Sequence, residues 1–157
     1  VPDCVKAWAE NKAVNIRNPD ATRPWQHVLE PLGGYLLLGI LLTGSKKLNG
    51  EAFNFGPKKD NDFSVRELIV GMQKHWSNVE WRDLSQNQNN VYEANLLRLN
   101  CQKAYKMLNW QPILNFEETI KMTAEWYKAY YSSENMFELT KSQINRYSKL
   151  LNEGGII

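Results

Sequence analysis

The chain has 157 residues, 43% of them hydrophobic, 11% aromatic and 23% charged, a composition that excludes disordered, collagenous and membrane-spanning chains and fits one globular unit. Its 19 basic and 17 acidic residues leave a net charge of +2, with no basic run beyond Lys46-Lys47 and Lys58-Lys59, so the electrostatic footprint of a nucleic-acid binder is absent. The two cysteines, Cys4 and Cys101, lie far apart and form no Cys-x-x-Cys pair, which argues against a zinc site or a secreted disulfide framework and for a reducing cytoplasm.

The chain opens Val1-Pro2-Asp3, with neither an initiator Met nor a signal-peptide pattern, as expected of a piece that begins mid-protein. Residues 2 to 12 suit a short helix with Pro2 in its first turn and Val5, Trp8 and Ala9 on one side. Val14 to Arg17 reads as a brief strand, and the Pro- and Asx-rich run 18–24 as a loop. Trp25 to Thr43 then reads as one helical segment, bent or broken at Pro31 and loosened by Gly33, Gly34 and Gly39; being apolar nearly all round, it is expected to be fully buried. Its apolar core, Leu32 to Thr43, is well short of the roughly 20 residues that cross a bilayer.

Ala52 to Phe55 is a strand candidate ending at Gly56-Pro57. Ser64 to Trp76 is a helix, opened by a capping box of Ser64 with Glu67 and striped by Val65, Leu68, Ile69, Met72 and Trp76. Val79 to Arg82 alternates like a strand, residues 83–90 form a polar loop, and Leu96 to Leu99 is a further strand candidate. Asn100 is placed to cap a helix reaching about Leu108, which Trp110-Gln111-Pro112 ends. A second capping box, Asn115 with Glu118, opens a helix to about Tyr131 with Phe116, Ile120, Thr123, Tyr127 and Tyr130 on one face. After Ser132-Ser133 a last helix carries Phe137, Thr140, Ile144, Tyr147 and Leu151 at intervals of three and four, and frays at Glu153-Gly154-Gly155.

Catalytic machinery is sparse. There is no Gly-x-Gly-x-x-Gly turn for a dinucleotide, no nucleophile elbow, no metal-ligand spacing between His27 and His75, and no tyrosine with a lysine four residues later. One junction does concentrate binding chemistry: Arg23-Pro24-Trp25-Gln26-His27-Val28 sets a cation, a ring, an amide and an imidazole where a loop enters a helix. Helix starts attract anions, and a guanidinium grips a phosphate through two parallel hydrogen bonds. The plainer reading makes Trp25 core, His27 a satisfied half-buried group and Arg23 a surface charge. Tyr92-Glu93-Ala94 sets a carboxylate beside a ring, an arrangement that suits sugar hydroxyls and equally a solvated loop. Arg17 and Arg98 are further candidates for phosphate or base contacts, or ordinary solvated cations.

From Arg17-Asn18-Pro19 through Arg23-Pro24-Trp25-Gln26-His27-Val28-Leu29-Glu30-Pro31-Leu32-Gly33-Gly34-Tyr35-Leu36, the sequence resembles the CDP-glucose 4,6-dehydratases, extended short-chain dehydrogenase/reductases that act on nucleotide sugars. The resemblance continues in Val1-Pro2-Asp3-Cys4-Val5, Ala52-Phe53-Asn54-Phe55-Gly56-Pro57, Glu93-Ala94, the Leu99 to Leu108 segment, Trp110-Gln111-Pro112 and Glu125-Trp126, and so covers about residues 1–131. It implies an α/β, helix-rich substrate-binding lobe over 1–131 and a helical tail over 132–157, the NAD-binding Rossmann core and the Tyr-x-x-x-Lys pair lying in an amino-terminal half not included here.

The family's reaction converts CDP-glucose to CDP-4-keto-6-deoxyglucose, in deoxysugar and bacterial O-antigen synthesis. Hydride leaves the sugar C4 for bound NAD, water is eliminated across C5 and C6, and the hydride returns to C6. The resemblance thus implies no catalytic and no metal residue in this chain, but substrate contacts. Arg23 falls near the diphosphate, with Gln26 and His27 beside it; Arg17 lies on the segment passing base and ribose, and Tyr92 and Glu93 complete the set. Position 92 departs from the usual His-Glu-Ala of the family, and Asn100 stands where Asp is common. The resemblance further implies a cytoplasmic enzyme, homo-oligomeric at full length, with no nucleic-acid or membrane partner. Ala52 to Phe55, and Val14 to Arg17 with it, would be strands of sheets shared with the other half, leaving exposed edges on this piece alone.

Overall fold

A computed structural model describes residues 1–58, 62–87 and 96–153. Among them are six α-helices and a two-stranded sheet: α1 (Pro2–Ala9), β1 (Val14–Ile16), α2 (Leu29–Gly44), α3 (Val65–Gln73), β2 (Trp81–Asp83), α4 (Gln102–Leu108), α5 (Phe116–Tyr131) and α6 (Met136–Glu153), with short 3₁₀ turns at Lys46–Leu48 and Ser85–Asn87. This is the expected helix-rich α/β fold.

Pro2 occupies the first turn of α1, where its missing N–H is no loss, and Asn11 turns the chain out of it in the left-handed region at φ 54°. The chain then enters β1, which pairs in parallel with β2 in the register Val14↔Trp81, Asn15↔Arg82 and Ile16↔Asp83. Trp8 fastens α1 to this sheet through its indole N–H, which donates to the Glu80 carbonyl at 2.9 Å. Both capping boxes form: Ser64 and Glu67 open α3, Asn115 and Glu118 open α5. Gly71 lets α3 pack closely against α5, because a Cβ there would crowd the tip of the Ile120 side chain.

Three apolar clusters fill the interior. Val5, Trp8, Ile16, Leu68, Ile69, Met72, Ile120 and Ala124 join α1, the sheet, α3 and α5. Phe55, Ala104, Leu108 and Trp110 form a second, onto which α2 lays Leu37, Leu38 and Leu41. Leu114, Met122, Tyr147 and Leu151 form the third, binding α6 to α5 and to Leu29 at the start of α2.

Several expectations need correction. Helix α2 begins at Leu29 and not Trp25. The Trp25 N–H donates to the Arg23 carbonyl at 2.8 Å, a tight turn around Pro24, and the Trp25 indole and Gln26 amide are drawn to the carbonyls of Phe63 and Phe55. Pro31 neither breaks nor bends it into two helices: it falls in the first turn, where an N–H has no intrahelical partner anyway. The helix is also not buried all round. Glu30 and Gly34 are buried, but Leu36 is 71% and Ile40 63% exposed, with Leu32 and Tyr35 beside them on the same outward face.

Residues 52–55 join no sheet among the described residues; the Asn54 side chain donates to the Asn100 carbonyl, and the Phe55 carbonyl accepts from Gln26. Among the described residues the strand expected at Leu96 to Leu99 reduces to one parallel bridge, Leu96 with Thr22. Pro24, two residues past Thr22, has no N–H with which to extend that ladder. Helix α4 starts two residues after Asn100, whose Oδ1 accepts from the Gln102 N–H at 3.0 Å. On the outer helices Tyr130, Phe137 and Ile144, read as face residues, are exposed. The expected helices over 2–12 and 64–76 end early, at Ala9 and Gln73.

Candidate functional site

The segment between β1 and α2 is anchored from below. Pro19 and Ala21 are buried and their carbonyls accept from the N–H groups of Arg66 and Val65, so this loop caps the start of α3. Thr22 bridges to both Ser64 and Leu96. The Arg23 N–H reaches toward the Phe63 carbonyl, and its guanidinium donates through Nη1 to the Thr22 carbonyl at 2.7 Å. Arg23 is half-buried, and Arg17, just past the end of β1, is exposed.

Gln26 and His27 come together on the wall of a cavity of about 390 Å³ between this loop, α3, α5 and α6, lined also by Trp25, Met72, Trp126 and Ile144. Arg23 is not on that wall. Gln26 donates through Nε2 to the Phe55 carbonyl at 2.9 Å, while its Oε1 is buried and finds no partner among the described residues. His27 is 6% exposed. Its Nδ1 accepts from the Leu29 N–H at 3.3 Å, which puts the proton of the neutral ring on Nε2, and burial pushes its pKa down. Tyr92 and Glu93 lie outside the described residues. Arg98 makes an ion pair with Asp62.

One part of the anion-site expectation changes. The backbone donors at the start of α2 are already engaged: Leu29 N–H on His27 Nδ1, Glu30 N–H on the His27 carbonyl, Leu32 N–H on the Val28 carbonyl, with Pro31 having none. A phosphate near Arg23 would therefore be held by side chains rather than by a helix start.

The residue that sequence reasoning passed over is Glu30. Only 1% exposed, it accepts from the N–H groups of Ile113 and Leu114 through Oε1, at 2.9 and 2.7 Å, and from the Tyr147 hydroxyl through Oε2 at 2.8 Å. Burial drives its pKa up and these donors oppose the rise. A lone carboxylate within the apolar run from Val28 to Ser45 was the available signal, since a buried charge must find donors. Among the described residues no three His, Cys, Asp or Glu side chains gather as a metal site, and no helix is long and apolar enough to cross a membrane.

Solved structures share this fold. It superposes with a TM-score of 0.65 on UDP-glucuronic acid 4-epimerase from Bacillus cereus in complex with UDP-glucuronic acid and NAD, at 20% identity over 82% of this chain and 39% of that one. The same enzyme with NAD alone gives a TM-score of 0.61 at 17% identity, covering 82% and 38%. In sequence, the chain is similar to the carboxy-terminal part of the CDP-glucose 4,6-dehydratase of Salmonella typhimurium, 35% identical over 148 residues, which are 94% of this chain and 41% of the dehydratase. The UDP-glucose 4-epimerase of Mycoplasma pneumoniae is 24% identical over 139 residues, 84% of this chain and 40% of that protein. The chain thus spans about two-fifths of the length of these curated relatives. No protein-family model matches it.

Proposed function

We propose that this chain is the substrate-holding part of a nucleotide-sugar 4,6-dehydratase that acts on CDP-glucose. The observation that carries the reading is the 35% identity sustained over 94% of the chain with a CDP-glucose 4,6-dehydratase; the fold shared with a UDP-sugar epimerase supports it. Residues 1–131 form the substrate lobe and 132–157 its tail. Arg23, half-buried and rigidly rooted through the Thr22 bridges, holds the diphosphate, where a planar fork suits two adjacent phosphoryl groups better than an ammonium. Gln26 and His27 orient what lies beside it, Arg17 faces base and ribose, and Tyr92 and Glu93 take sugar hydroxyls.

These residues do not form an NAD site: the chain has no Gly-x-Gly-x-x-Gly turn and no Tyr-x-x-x-Lys pair. The cofactor supplies a hydride acceptor and donor from the other half of the enzyme, and this chain contributes binding and orientation. The uncharged outward face of α2 is a surface that half would cover. The whole enzyme is a cytoplasmic lyase working as a homo-oligomer. An epimerase of the same fold is the competing reading, favoured by the similarity to UDP-glucose 4-epimerase.

Calorimetric titration of the chain with CDP-, UDP-, GDP- and dTDP-glucose separates these readings. CDP-glucose should bind tightest. Preference for UDP-glucose would favour the epimerase, and absence of binding by all four would overturn the proposal.

A further inference from the structure

We infer that Tyr147 is a positioning residue for the substrate loop, by which α6 fixes the entry of α2 and with it Gln26 and His27. The inference rests on the reading of Arg23 to His27 as the substrate-holding segment. The contact path is continuous. The Tyr147 hydroxyl donates to Glu30 Oε2 at 2.8 Å; the Glu30 backbone N–H donates to the His27 carbonyl at 3.0 Å; the Leu29 N–H donates to His27 Nδ1 at 3.3 Å. Gln26 is the next residue back, held at Phe55.

The other carboxylate oxygen of Glu30 takes the N–H groups of Ile113 and Leu114, so one side chain ties the first turn of α2 to the approach to α5 and to the last helix. Gly33, one turn along α2, admits the Tyr147 ring closely: a Cβ there would stand 3.2 Å from the hydroxyl oxygen.

A role in plain stability fits this arrangement poorly. Among the described residues Glu30 has no ion pair, only the charge of Lys58 acting on it from further off; burying a carboxylate so is expensive, and an apolar pair of similar volume would fill the same space at lower cost. What the polar arrangement adds is direction. The Glu30 carboxylate meets three donors from two separate segments, which fixes the rotation and the axial position of the α2 start. In this protein the final helix therefore acts on the substrate loop rather than trailing behind it.

The test compares the full 157-residue chain with its Tyr147→Phe and Glu30→Gln variants by amide hydrogen exchange and by calorimetric titration with CDP-glucose. Tyr147→Phe removes only the hydroxyl and keeps the ring in the third cluster. It should speed exchange at Leu29 and Glu30 about tenfold, the scale of a lost hydrogen bond to a charged group, while leaving exchange in α3 unchanged, and it should weaken CDP-glucose binding. Adding Tyr147→Phe to Glu30→Gln should weaken binding less than it does in the wild-type chain, because the two act as one unit.

Unchanged exchange at Leu29 and Glu30, or an equal rise throughout the chain, would overturn the inference and leave the substrate assignment standing. Should the wild-type chain bind no CDP-glucose, the substrate assignment falls, and with it the positioning role; local exchange would then report a structural clasp alone.

Discussion

At position 27 two effects oppose protonation: the ring is buried, and its Nδ1 already accepts the Leu29 N–H. Burial lowers the folded-state pKa below the ordinary 6.5, so above that value the ring is neutral in both states and contributes its full stability. As pH falls below it, the unfolded chain takes up a proton that the folded chain resists, and stability is lost down through the lowered folded value. The chain should lose more stability between pH 7.5 and 5 than its His27→Gln variant, as read from urea midpoints; parallel pH profiles would contradict this account of the site. That Gln26 and His27 share one wall was legible because they are neighbours in the sequence. Glu30 was not, because its partners lie 83, 84 and 117 residues away and no local pattern announces them.

Among the elements, α3 and α5 were legible to their first residues, since a capping box closes on itself within four positions and needs nothing distant. Strands are different. Residues 52–55 have the composition of a strand, but a strand exists only with a partner, and the described residues hold none for it. Helix α2 misled for a related reason: apolarity on every side signals that a helix is covered, not that its own chain covers it. Leu37, Leu38 and Leu41 pack on the second cluster, whereas Leu36 and Ile40 stand outward. Leu36→Lys should therefore change unfolding free energy by no more than about 0.5 kcal/mol, and Leu38→Ala should cost about 1–2 kcal/mol, as expected for a partly buried leucine. Urea denaturation distinguishes them. Equal costs would mean that the outward face is already covered in the isolated chain.

For the molecule as a whole, the three clusters are linked by crossings rather than merged into one centre, and α6, at the edge of the resemblance, closes the third. The chain spans about two-fifths of the length of its curated relatives. In the proposed function the segment from β1 to α2 is where the Arg23 guanidinium would meet the substrate diphosphate, and that part of the proposal is tested at this side chain. Calorimetry of CDP-glucose binding to the wild-type chain and to Arg23→Ala measures it directly. Loss of a charge-assisted, two-bonded contact should weaken binding at least about tenfold with the folded structure unchanged, and equal affinity in the two proteins would contradict the assignment.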